Sequence, residues 1–68
     1  MKRFIEVCGS FDCEPVIGER VVILQNGEPI YYTSEVAVIY SRTEKEIEFE
    51  TKNSVYKVIR KSEAVETR

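Results

Sequence analysis

Residues 44–60, EKEIEFETKNSVYKVIR, decide how this chain folds. Through residues 44–51 the side chains alternate without a break. Glu44, Glu46, Glu48 and Glu50 fall on one face; Lys45, Ile47, Phe49 and Thr51 fall on the other. A repeat of two is the period of a β-strand with one wet face and one dry face. Lys52-Asn53 supplies a two-residue turn, because Asn tolerates the positive φ that tight hairpin turns need. Pairing then runs outward from Thr51 opposite Ser54. Phe49 meets Tyr56 and Ile47 meets Val58, an apolar ladder, while on the other face Glu48 meets Lys57 and Glu44 meets Lys61. A four-residue loop over residues 51–54 leaves the same pairs. Each such pair is worth roughly 0.2–1 kcal/mol. The glutamate ridge reads either as a docking strip for a basic partner or as a solvated face that discourages edge pairing. Lysines opposite two of the glutamates favour the second reading.

Working outward, residues 3–8 form a short candidate strand with Phe4, Ile5 and Val7. Residues 9–18 hold Gly9, Gly18, Pro15, Asp12 and Ser10, and read as a long loop. Loops of this length in a small domain are common places for binding residues. Val21, Val22, Ile23 and Leu24 are consecutive, which predicts a strand buried on both sides. Asn26-Gly27 is the strongest hairpin signal in the chain, and Pro29 then sits at the start of a strand, where a missing N–H does no harm. Residues 30–40 are rich in β-branched and aromatic side chains. Ile30, Tyr32, Val36, Val38 and Tyr40 share one face, and Ser34 interrupts them, predicting a bend or bulge near Thr33-Ser34. A helix over residues 34–40 capped by Ser34 is set aside because β-formers dominate. Residues 61–68 are polar, with one helical turn or a frayed tail over 62–66. All three glycines read as turn or loop positions.

The expected fold is therefore mostly β. It is a small, strongly bent antiparallel sheet, or a five-stranded barrel of SH3-like or Sm-like architecture, in one domain over residues 1–68. Such barrels host many unrelated functions, so the likeness carries none by itself.

A chain of 68 residues buries a modest fraction of its surface, so it is expected to close compactly or to dimerise. Its net charge is −2. Residues 1–24 carry three basic and four acidic side chains, residues 25–43 one and two, and residues 44–68 six of each. No segment has the strongly basic footprint of a nucleic-acid binder. No apolar run is long enough to span a membrane, and MKRFIEVCGS breaks at Glu6, unlike a signal peptide. A cytoplasmic, reducing setting is expected, as for a small bacterial accessory or mobile-element protein.

The chemistry points away from catalysis. There is no histidine, so the commonest general base is missing. The carboxylates alternate along an open sheet face instead of converging in a pocket. Cys8 and Cys13 are two thiols where a zinc site wants four ligands, so neither metal nor cofactor is expected. A disulfide needs the loop to fold back on itself, and the expected state is two reduced, partly buried thiols. Asp12 and Glu14 beside Cys13 oppose thiolate formation. Walker-type and Gly-x-Gly-x-x-Gly loops are absent.

Three roles remain. The first is a non-enzymatic module that binds a protein partner, through a bare sheet edge and through Phe11 and an exposed Tyr31. The second is a small barrel for RNA or single-stranded DNA, stacking bases on Tyr40 beside Arg42, Lys52, Lys57 and Arg60. The third is a subunit of a homodimer or ring. The acidic balance and the default role of tyrosine as core filler place the first ahead of the second.

Overall fold

The computed structural model describes residues 2–60. They form six strands: β1 (Arg3–Phe11), β2 (Val22–Gln25), β3 (Glu28–Tyr32), β4 (Val36–Arg42), β5 (Glu46–Thr51) and β6 (Ser54–Arg60). The expected helical turn and the Glu44–Lys61 pair fall outside the described residues.

The hairpin that opened the sequence reading has the expected register: Phe49 pairs with Tyr56, Ile47 with Val58 and Glu48 with Lys57. Burial alternates strictly along β5, with Ile47, Phe49 and Thr51 buried and the glutamates between them half-exposed. The turn works differently from the expectation, because Asn53 is not among the residues with positive φ. Instead the Thr51 hydroxyl accepts the N–H groups of Asn53 and Ser54, each at 3.3 Å. Thr43 closes the β4–β5 turn in the same way, accepting from Lys45 at 3.1 Å and Glu46 at 3.0 Å. At the β2–β3 turn the sequence signal holds: Asn26 and Gly27 have φ of 55° and 81°, the double positive φ of a type I′ turn.

The strands are ordered β3-β2-β1-β6-β5-β4 in one sheet. All neighbours are antiparallel except β1 and β6, which run parallel from Arg3–Ser54 to Gly9–Arg60. The sheet is thus mixed, with six strands instead of five, and it is not closed: β3 and β4 are its two edges and do not pair. It is nevertheless strongly bent. Following the pair directions, β3 and β4 run the same way and are joined only by residues 33–35. The four Cα steps from Tyr32 to Val36 reach about 14 Å at most, so the sheet must curl until the end of one edge strand meets the start of the other. The interruption expected at Thr33-Ser34 is this link.

The bend occurs within β1. Its first part pairs with β6, and its last two residues, Ser10 and Phe11, pair with Leu24 and Ile23 of β2. Gly9 lies at the change-over, inside a strand and buried, not in a loop. A Cβ there would overlap the carbonyl oxygen of Leu24, so the crossing requires glycine. Beyond it the β2–β3 arm folds across the inner face of β4–β6.

Between these layers lies the core of Val21, Ile23, Val36, Ile47, Phe49, Tyr56 and Val58, flanked by Ile5, Val7, Phe11, Tyr31 and Ile39. Val22 and Leu24 are only half-buried, so β2 is covered on one side, not both. Residues 12–20 form a strap over the opening. Gly18 donates its N–H to the Val36 carbonyl at 2.8 Å, and Val36 donates to Glu19 at 3.0 Å. Pro15 is fully buried beneath this strap.

Bulges mark both edges. In β4 the register skips Ala37 and Tyr40, and in β3 it skips Ile30. The even-numbered face expected over residues 30–40 is therefore broken: Val36 is buried, whereas Val38 and Tyr40 point outward.

Candidate interaction surface

The outer face of the β1–β6–β5–β4 part can be built from the register alone, since cross-strand partners share a face. One row runs Phe4, Val55, Glu50 and Val38; the next holds Glu6, Lys57 and Glu48; a third holds Cys8, Ile59 and Glu46. Tyr40, displaced by its bulge, reaches back over β5 and donates its hydroxyl to the Glu50 carboxylate. Lys2 donates to the same carboxylate, and to the Thr51 carbonyl at 3.1 Å.

Two features of this face stand out. Large apolar side chains lie open on it: Phe4 is 59% exposed, Tyr40 56% and Val38 40%. Among the described residues, the four carboxylates Glu6, Glu46, Glu48 and Glu50 are answered by Lys57 and Lys2 alone, with Lys57 lying 3.8 Å from Glu46. The hydrogen bond from Lys2, then that from Tyr40, holds the Glu50 carboxyl below its ordinary range. Accepting from Tyr40 in this way raises the tyrosine in turn. Glu50 therefore stays charged and fixes the phenol ring on the surface.

The expected protein contacts do not lie here. Phe11 is half-buried, its ring centroid 6.3 Å from that of Phe49. The expectation of an exposed Tyr31 is overturned. It pairs with the buried Ile23 and so shares its inward face, meeting Tyr56 edge-on at 6.1 Å. Its neighbour Tyr32 is the open one, at 75%. Phe11, Phe49, Tyr56 and Tyr31 form one aromatic row through the core, whose two ends are the residues expected to meet a partner.

The expected nucleic-acid set is not brought together either. Arg42 pairs with Ile47 on the inner face, and Arg60 follows Tyr56 and Val58 there. Lys57 and Tyr40 belong to the outer face, and Lys52 to the β5–β6 turn. Most are also engaged. Arg60 grips Glu14 through two nitrogens, at 2.6 and 3.3 Å, and its guanidinium lies 5.9 Å from the Phe11 centroid. Arg42 donates to the Pro15 carbonyl at 2.8 Å and lies 4.0 Å from Glu14. The Arg60 hydrogen bond holds Glu14 below its ordinary value, against the opposing effect of burial. These two arginines pin the strap in place. No sequence motif marks them; they come together because β4, β6 and the strap end at the same place.

The edges offer less than the face. Pro29 removes an N–H from β3, the Ile30 bulge bends it, and Ile17 bridges to Val36 at the start of β4. Bulges, proline and covering segments are how sheets resist strand addition. Cys8 and Cys13 are both free and exposed, not partly buried as expected. Among the described residues no three His, Cys, Asp or Glu side chains cluster as metal ligands, and no helix is long and apolar enough to cross a membrane. The chain matches no protein family, no curated protein and no solved structure.

Proposed function

We propose that this protein is a non-enzymatic interaction module that docks a protein partner on the outer face of its sheet. The observation that carries this is the coincidence of Phe4, Val38 and Tyr40, all open, with an excess of carboxylates on the same face. Exposed aromatic rings beside fixed charge supply the two things an interface centre needs, apolar area and orientation. Phe4 and Val38 stand three strand spacings apart, about 14 Å, which a single strand or helix can straddle. Charge complementarity selects the occupant: a basic segment of another protein, with apolar side chains set between its lysines or arginines. The absence of histidine supports a binding role over a catalytic one.

The test is capture from the native host's lysate by tagged protein after nuclease treatment, comparing wild type with Phe4→Ser/Tyr40→Ser. The expected result is a discrete basic protein held by wild type and lost by the variant, with the variant still folded. Capture that survives the substitutions contradicts the docking face. Association that disappears with nuclease favours the nucleic-acid reading.

A further inference from the structure

A second site lies beside the β5–β6 turn, on residues that the docking face does not use. We propose that this depression binds a small phosphomonoester dianion between Arg20 and Lys52. The hollow measures about 640 Å³ and is lined by Arg20, Ser34, Glu35, Val36, Ala37 and Lys52.

The case begins with the ion pairs. Lys2, Arg42, Lys57 and Arg60 each lie against a carboxylate. Among the described residues Arg20 and Lys52 make no such pair, although both are exposed and face one hollow. Arg3, which also makes no ion pair among the described residues, brings a third cation to this end of the sheet, because its backbone pairs with Ser54, two residues beyond Lys52. One carboxylate, Glu35, lines the hollow and offsets one of these charges.

Neutral donors add direction. Asn53 donates its side-chain amide to the Ser34 hydroxyl at 2.9 Å, which leaves the Ser34 proton free to donate into the hollow. This contact also ties the link between β3 and β4 to the β5–β6 turn. Arg20 and Lys52 are carried on held segments: Val21 and Glu19, on either side of Arg20, accept the backbone N–H groups of Thr33 and Val36, and the turn that carries Lys52 is closed by the Thr51 hydroxyl.

The donor set selects the ligand. A guanidinium fork, an ammonium and a hydroxyl together match the three terminal oxygens of a phosphomonoester, which carries about −1.5 to −2 charge at pH 7. A carboxylate brings two oxygens and one charge, and a phosphodiester brings one charge and two free oxygens, so each leaves donors unmet.

The experiment is a titration of the full chain followed by amide resonances. O-Phosphoserine, inorganic phosphate and a single-stranded oligonucleotide are added separately, with sodium chloride at matched ionic strength as control. The expected result is saturable shifts at Arg20, Ser34 and Lys52 with O-phosphoserine but not with chloride. Arg20→Gln/Lys52→Gln, both exposed positions, should weaken binding about tenfold or more while leaving the rest of the spectrum in place. Equal shifts with chloride, or unchanged affinity in the double variant, overturn the proposal. So does binding confined to inorganic phosphate or to the oligonucleotide.

Discussion

The ring of Phe49 stacks on that of its cross-strand partner Tyr56, with centroids 5.2 Å apart and 21° between the planes. Phe11 and Tyr31 continue the row on either side. Because Phe49 is fully buried and central, Phe49→Ala should cost about 3–5 kcal/mol, a large share of the stability of so small a domain. Glu48→Ala, beside it on the outer face, should cost under about 1 kcal/mol. Denaturant titration of both variants checks this; equal shifts in midpoint would contradict the assignment of faces.

Gly9 is the second critical position, for a backbone reason. The crossing from β6 to β2 brings the Leu24 carbonyl where a side chain would begin. Gly9→Ala should destabilise by about 1–3 kcal/mol or more, as overpacking of a closed core does. Thermal melting should show it. A variant melting with wild type would mean that the β2–β3 arm does not fold over the sheet as described.

The threonine turns give a graded pair. Thr51 is fully buried and accepts two N–H groups, so Thr51→Val strands both and should cost about 1–3 kcal/mol. Thr43 holds an exposed turn, where water can replace its hydroxyl, and Thr43→Val should cost under about 1 kcal/mol. Melting curves of the two variants should separate in that order.

Acid should loosen the strap. Glu14 is held below its ordinary 4.5 by its hydrogen bond from Arg60, with the charges of Arg60 and Arg42 adding to it. A carboxylate depressed in the folded state stabilises the fold above its unfolded pKa, and that contribution is lost as pH falls through the folded value. The window therefore opens below pH 4.5 and closes under the folded value. With its side chain 45% exposed, Glu14 is screened by solvent, so the loss is under about 1 kcal/mol. Glu14→Gln should melt with a shallower acid limb than wild type. Parallel limbs would show that the arginine clasp adds nothing.

Much of this fold was legible in the residues, and the gaps have physical causes. The β5–β6 register follows from strict alternation, and the β2–β3 turn from Asn26-Gly27, because both signals are local. The parallel pairing of β1 with β6 is not local: it joins the two ends of the described chain, and no periodicity encodes which strand Ile5 and Val7 will lie beside. For the same reason the sequence does not show that Phe11 and Tyr31, read as candidate contacts, are half-buried against the core. Strand alternation puts Tyr31 and Tyr32 on opposite faces, but only pairing with Ile23 says which turns inward. The bulge at Ala37 reverses the parity of β4 and the one at Tyr40 restores it, so Val38 turns outward while Val36 and Arg42 face inward. The threonines were readable in principle. A Thr followed two and three residues later by turn N–H groups occurs at both Thr43 and Thr51, and it competes directly with the Asn53 signal.

The docking face is the central claim, and site-specific photo-crosslinking in the native host tests it most directly. A photo-reactive phenylalanine analogue is placed, one position at a time, at Phe4, Tyr40 and Tyr32. The account predicts a discrete adduct with a basic protein from the Phe4 and Tyr40 positions and none from Tyr32. Adducts from Tyr32 alone, or between two copies of this chain, would contradict it.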